Sequence, residues 1–328
     1  MKRIITIILV VLLASALFGC TQNQKTSDTS QNENNNEKIK IITTLFPQYD
    51  FARQIAGDKA EVTLLLPAGS ESHSFEPTPS DIITIGNADM FVYTGKYMEP
   101  WAEKIIQSID NDAIEIVDVS SGITLDKEED HDHEHEHDEN EVDTDHDEEE
   151  HTHEYNPHIW TSPVIAKKMV DNIAASLCYI DPENAAYYRT NAENYLKQLD
   201  ELDAEFTNIV NNGVRKKLFF GGRFALHYFT EEYGLEYESA YDNCSSQTEP
   251  SAHDIAKIID EIKEYDIPII YYEELTDPKV SRSISESTGV EMLLFHSCHN
   301  VSKEDFEKGV TFLDLMKQNA ENLKKGLN

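Results

Sequence analysis

The segment DPENAAYYRTNAENYLKQLDELD (181–203) decides the fold of this 328-residue chain. Asp181 can cap a helix and Pro182 suits its first turn. Tyr188, Ala192, Tyr195, Leu199, Leu202, Phe206 and Ile209 then recur at spacings of three and four until Asn212-Gly213 ends the pattern. The spacing predicts a helix over 182–211, about 45 Å long at 1.5 Å per residue. A helix of that length can serve as a rigid strut between two bodies.

Short β-branched and apolar runs lie on either side of it. Before the strut come IKIITTLF (39–46), AEVTLLLP (60–67), ADMFVYTG (88–95) and AIEIVDV (113–119), with helical stretches near 48–57, 79–87 and 98–109. After it come KKLFFGG (216–222), LEYESAY (235–241), IPIIYY (267–272) and VEMLLF (290–295), then a helix expected over 303–325. Strands alternating with helices imply parallel sheets built by crossover connections. The chain also exceeds what one core fills, so two units of roughly 100 to 150 residues are expected. The fold class is therefore α/β: two lobes, each with a parallel sheet flanked by helices, joined by one long rigid helix. The boundaries read as an N-terminal lobe over 38–160, linking helices over 161–213 and a C-terminal lobe over 214–328.

The first residues belong to neither lobe. Lys2 and Arg3 precede an apolar and small-residue stretch from Ile4 to Gly19, too short for a membrane span, and Leu17-Phe18-Gly19-Cys20 resembles a bacterial lipobox. Residues 1–19 thus read as a signal peptide and Cys20 as the lipidated first residue. Thr21 to Glu37 is Asn, Gln, Ser, Thr and acid, with Lys25 its one base, and reads as a flexible tether. The folded body is expected outside the cytoplasm, close to the cell membrane and monomeric.

The net charge is −35, and residues 126–154 alone carry seventeen acids against one lysine. Nucleic acid is a poor partner for such a chain and cations are good ones. The same run holds His131, His133, His135, His137, His146, His151 and His153 without helical or strand period, and reads as a projecting acidic loop suited to weak, exchangeable zinc binding. In an oxidising compartment Cys244 and Cys298, both in expected loops of the second half, are the pair to form a disulfide, or else two soft thiolate ligands; Cys178 reads as a buried small hydrophobe.

Histidine outside the cytoplasm is a transition-metal signal, because imidazole suits zinc, copper, nickel and iron. His73, in HSFEPTPSD (73–81), follows one expected strand, and His296 follows another in the second lobe. Ligands in open α/β sheets bind beyond the carboxyl ends of strands, so these two can face one another across a cleft. His158 sits in the turn NPHIWTSP (156–163), beside Trp160.

Those two motifs, with 181–203 and TEPSAHDIAKIID (248–260), resemble the zinc and manganese solute-binding lipoproteins of bacterial ABC importers, over roughly residues 38–328. The resemblance implies a non-enzymatic protein that captures a metal between two lobes and delivers it to a membrane permease. It also implies an acidic His-rich loop in zinc-type members. The family's third histidine falls on Arg223, counting back from Tyr233-Gly234-Leu235, and an obligate cation cannot ligate a metal. The expected ligands are therefore His73, His158 and His296, with His299 as the fourth and Glu249 and His227 as alternatives. Arg223 is expected to pair with Glu249 or another acid near the cleft. Zinc is the expected ion and manganese the alternative. A surface adhesin and a secreted metallohydrolase are the competing classes; the latter lacks an HExxH-type helix motif.

Overall fold

The computed structural model describes residues 38–111, 113–127, 154–241 and 250–328. The expected signal peptide, Cys20, the tether, the seven histidines of the acidic run, Cys244 and Glu249 lie outside the described residues.

In the first half the order is β1 (Ile39–Thr43), α1 (Phe46–Ala56), β2 (Ala60–Leu64), α2 (Pro79–Gly86), β3 (Met90–Tyr93), α3 (Pro100–Ser108) and β4 (Glu115–Asp118). Then come α4 (Pro163–Ile180) and the long α5 (Ala185–Asn212), which a short turn of 3-10 helix, Pro182–Asn184, introduces. The second half runs β5 (Lys217–Phe220), α6 (His227–Tyr233), β6 (Glu236–Ser239), α7 (Ala252–Glu264), β7 (Ile269–Tyr272), α8 (Lys279–Thr288), β8 (Glu291–Leu294), α9 (Lys303–Lys308) and α10 (Phe312–Leu327).

The strands form two parallel four-stranded sheets, ordered β2-β1-β3-β4 and β6-β5-β7-β8. Successive side chains of a strand point to opposite faces, and here both faces are covered. Met90 and Val92 join one core, while Phe91 and Tyr93 join another with Ala102 and Ile105 of α3. Leu218 and Phe220 likewise enter the first core, while Phe219 packs with Ile258, Ile262 and Ile284 of α7 and α8. The shared core receives the inner faces of both sheets together with α4, α5 and α10. Its seam on α5 is Tyr188, Ala192, Tyr195, Leu199, Leu202 and Phe206, all buried; at the last turn Val210 takes the buried position and Ile209 lies at its edge.

Two expectations are corrected. The single helix over 303–325 is two helices, because Gly309 adopts φ 71° and closes α9, and Thr311 then accepts from the Asp314 N–H to start α10. Cys298 carries a free thiol where a bridge was expected: its side chain is wholly buried, with Sγ 3.8 Å from the His296 carbonyl. Cys178 is partly buried at the edge of the shared core. Among the described residues no helix is long and apolar enough to cross a membrane.

Candidate metal centre

Three loops supply the site. His73 lies in the loop after β2, where Glu71 accepts from the backbone N–H groups of His73 (3.0 Å) and Ser74 (2.8 Å) and so fixes the turn. His158 lies in the turn before α4, wholly buried. His299 follows β8 and is nine-tenths buried.

These three rings converge. The centroid separations are 5.6 Å for His73–His158, 5.2 Å for His73–His299 and 4.8 Å for His158–His299, and one ring nitrogen of each lies within 4.8 Å of the others. The Nε2 atoms of all three are buried.

Hydrogen bonds decide which nitrogen of two of these rings faces inward. Asn156 Oδ1, an acceptor, stands 2.9 Å from His158 Nδ1 and accepts a hydrogen bond from Nδ1–H, which puts the ring's lone pair on Nε2. Ser297 Oγ lies 2.5 Å from both Glu274 Oε1 and His299 Nδ1. Since the carboxylate can only accept, the hydroxyl donates to Glu274 and accepts from His299 Nδ1–H, again leaving Nε2 as the donor atom. Burial, with His73, Arg223 and His296 adding like charge, holds the His299 imidazole well below its usual range, so it stays neutral and able to ligate.

The loops are also stitched together across the two halves. Asn300 Nδ2 donates to the carbonyls of Pro67 (2.8 Å) and Ser70 (2.9 Å), and the Phe46 N–H donates to the His299 carbonyl at 3.2 Å. Sequence reading did not single out Asn156, Ser297, Glu274 or Asn300. Asn156 stood two residues before His158 in a motif already quoted, and Asn300 beside His299; nothing in the sequence distinguished Glu274.

His296 is placed apart from the three. Its Nδ1 accepts from the Cys298 N–H at 2.9 Å and stands 3.5 Å from Glu274, while Asn319 clamps its backbone N–H (2.7 Å) and carbonyl (2.8 Å). The loop then turns sharply at Cys298, φ 64°, and it is His299 that the turn carries to His73 and His158. His227 is placed elsewhere, with Nε2 3.2 Å from Asp126 at the stem of the acidic run, where Lys127 and Tyr155 form an antiparallel bridge. Arg223 lies beside the site, its Nε 3.7 Å from Glu273.

Three converging imidazoles, two of them buried, are a set that can hold a metal ion. Residues 41–326 match the family model described as zinc-uptake complex component A, periplasmic. The chain belongs to this zinc-uptake family. It is 35% identical over 321 residues to the high-affinity zinc uptake system protein ZnuA of Bacillus subtilis, covering 97% of this chain and 96% of that one. It is 32% identical over 329 residues to the zinc-binding lipoprotein AdcA of Streptococcus pneumoniae, 99% of this chain but 61% of AdcA, so it spans about three fifths of that relative. The crystal structure of the Zn(II)-bound ZnuA-like domain of the pneumococcal AdcA is similar at TM-score 0.72 and 28% identity, over 88% of this chain and 99% of that domain. Members of the zinc-uptake family are solute-binding proteins rather than enzymes, and the two-lobed α/β fold expected from the sequence is the family's fold.

Proposed function

We propose that His73, His158 and His299 hold a zinc ion that this protein captures outside the cytoplasm and passes to an ABC importer permease. The observation that carries the reading is the convergence of three ring nitrogens to within 4.8 Å in a buried pocket. Imidazole Nε2 is a favoured zinc donor, and a zinc site built on histidines commonly fixes each ring through its other nitrogen. Asn156 and the Ser297–Glu274 pair do this for two of the rings.

An all-imidazole set favours zinc over manganese, which prefers carboxylate oxygens. The zinc-binding names of the relatives support the same ion. Lipidation of Cys20, with residues 21–37 as tether, would keep the monomeric body at the membrane surface; loss of lipid labelling in Cys20→Ala tests that part. The acidic run at 126–154 is a zinc-collecting segment feeding the deeper site.

A competitive zinc titration of the full chain tests the central assignment. One tight site is expected beside weaker ones, lost in His299→Ala and retained when residues 128–153 are deleted. A tight site that survives His299→Ala would overturn the assignment.

A further inference from the structure

Three imidazoles leave a four-coordinate zinc one ligand short, and what surrounds the gap is unusual. A cavity of about 150 Å³ opens beside the rings, lined by His73, His299, Arg223, Glu273, Glu274 and Asn300 among others. No carboxylate among the described residues joins the three-histidine cluster. Glu71 accepts from the backbone of His73 and Ser74, and Glu274 from the N–H and hydroxyl of Ser297. Glu273 faces Arg223 at 3.7 Å, too far for a hydrogen bond.

We propose, building on the three-histidine assignment, that the metal is bound together with a small carboxylate anion, one oxygen of which is the fourth ligand while the other is held by Arg223. A guanidinium is always charged and presents its N–H donors as a fork that matches a carboxylate. That of Arg223 is partly buried, at 22% exposure, and makes no hydrogen bond to a described residue, so its donors are available to the cavity. Gly222 helps to aim it. A Cβ at that position would fall 1.5 Å from Glu273 Oε2, so only glycine lets the Glu273 carboxylate lie against this loop, 3.7 Å from Arg223 Nε. Arg223, unable to be a ligand itself, thus supplies one by proxy.

The test uses the full chain with half an equivalent of Co²⁺, whose visible bands report coordination, and a titration with sodium acetate against sodium perchlorate at constant ionic strength. A saturable band shift with acetate and none with perchlorate is expected. In Arg223→Gln the acetate midpoint should rise at least tenfold, and in Arg223→Lys, which keeps the charge without the fork, by less. Bands unmoved by acetate in the wild type, or an unchanged midpoint in Arg223→Gln, would overturn the anion. Failure of the three-histidine assignment looks different: intense four-coordinate cobalt bands would be missing from the wild type or would persist in His299→Ala, and the anion proposal would fall with it.

Discussion

The indole N–H of Trp160 donates to the carbonyl of Ser297 at 2.8 Å, and this one bond joins the turn that carries His158 to the loop that carries His299. The ring of Trp160 also stands edge-on to both imidazoles, at 5.5 Å from His158 and 5.0 Å from His299. It is wholly buried, so the Ser297 carbonyl has no water to replace a lost donor. Trp160→Phe keeps most of the apolar volume but strands that carbonyl, at a cost of about 1–3 kcal/mol. The expected outcome is a lower melting temperature and a severalfold weaker zinc affinity, read by denaturation and by chelator competition. Unchanged affinity would mean that the two loops hold their spacing without this bond.

The Asn156 side chain acts on the site through His158. Its Oδ1 accepts from both the backbone N–H (3.1 Å) and Nδ1 (2.9 Å) of that residue, which fixes ring and tautomer together. Asn156→Ala frees the imidazole to rotate, and zinc affinity should fall about 10- to 100-fold, the usual effect of losing such a partner. Asn156→Asp keeps the acceptor and should lose less. Competition titration of the two variants side by side checks the order, which a purely structural role for Asn156 would not produce.

The fold was legible because its signals are local. Strands buried on both faces read as unbroken apolar runs such as Met90–Tyr93, and α5 shows its seam at three- and four-residue spacing. The break between α9 and α10 escaped because Phe306, Phe312 and Leu313 continue an apolar pattern across Gly309, and only its left-handed backbone ends the helix. His73 and His158 lie in motifs that can be recognised. The choice between His296 and His299 cannot be read from spacing, since a single residue at positive φ, Cys298, sets which of them points toward the other lobe. Glu274 was hidden, because its role rests on loops far apart in the chain meeting at one cavity, whereas the resemblance already placed Arg223 near the cleft.

Asp50 is the anchor that fixes α10 against the first lobe. Its carboxylate is fully buried and accepts from the Phe312 N–H (2.7 Å) at the start of α10, from Tyr195 Oη (3.3 Å) on α5 and from Arg53 Nε (2.7 Å) on its own helix. Arg53 in turn donates to the carbonyls of Gly309 and Val310. Asp50→Ala would orphan a buried N–H and a buried hydroxyl at once, and should cost on the order of 3 kcal/mol. Asp50→Asn, which keeps an acceptor, should cost less. Urea unfolding without metal measures both; a loss under 1 kcal/mol in Asp50→Ala would show that the aromatic contact of Phe51 with Phe312, at 5.1 Å, is enough to hold the helix.

Glu99 gives the apo protein a pH dependence of a definite sign. Its carboxyl is buried beneath the ends of β1 and β3, and desolvation pushes its pKa up to about 7, although Thr44 Oγ1 (2.5 Å) and the Thr94 N–H (3.1 Å) donate to it and favour the charged form. In the unfolded chain the same group titrates near its ordinary value of 4.5. Between those two values the native state holds a proton that the unfolded state has released. Folding stability contributed by Glu99 is therefore complete below about pH 4.5 and is lost as pH rises to about 7, beyond which it is flat. The shift corresponds to roughly 3 kcal/mol at most. Glu99→Gln, neutral at every pH, removes this dependence, so relative to the wild type it should gain stability between pH 5 and pH 8. Metal-free denaturation at those two pH values measures the change, and a mutant whose stability runs parallel to the wild type would show that Glu99 is charged in the native state throughout.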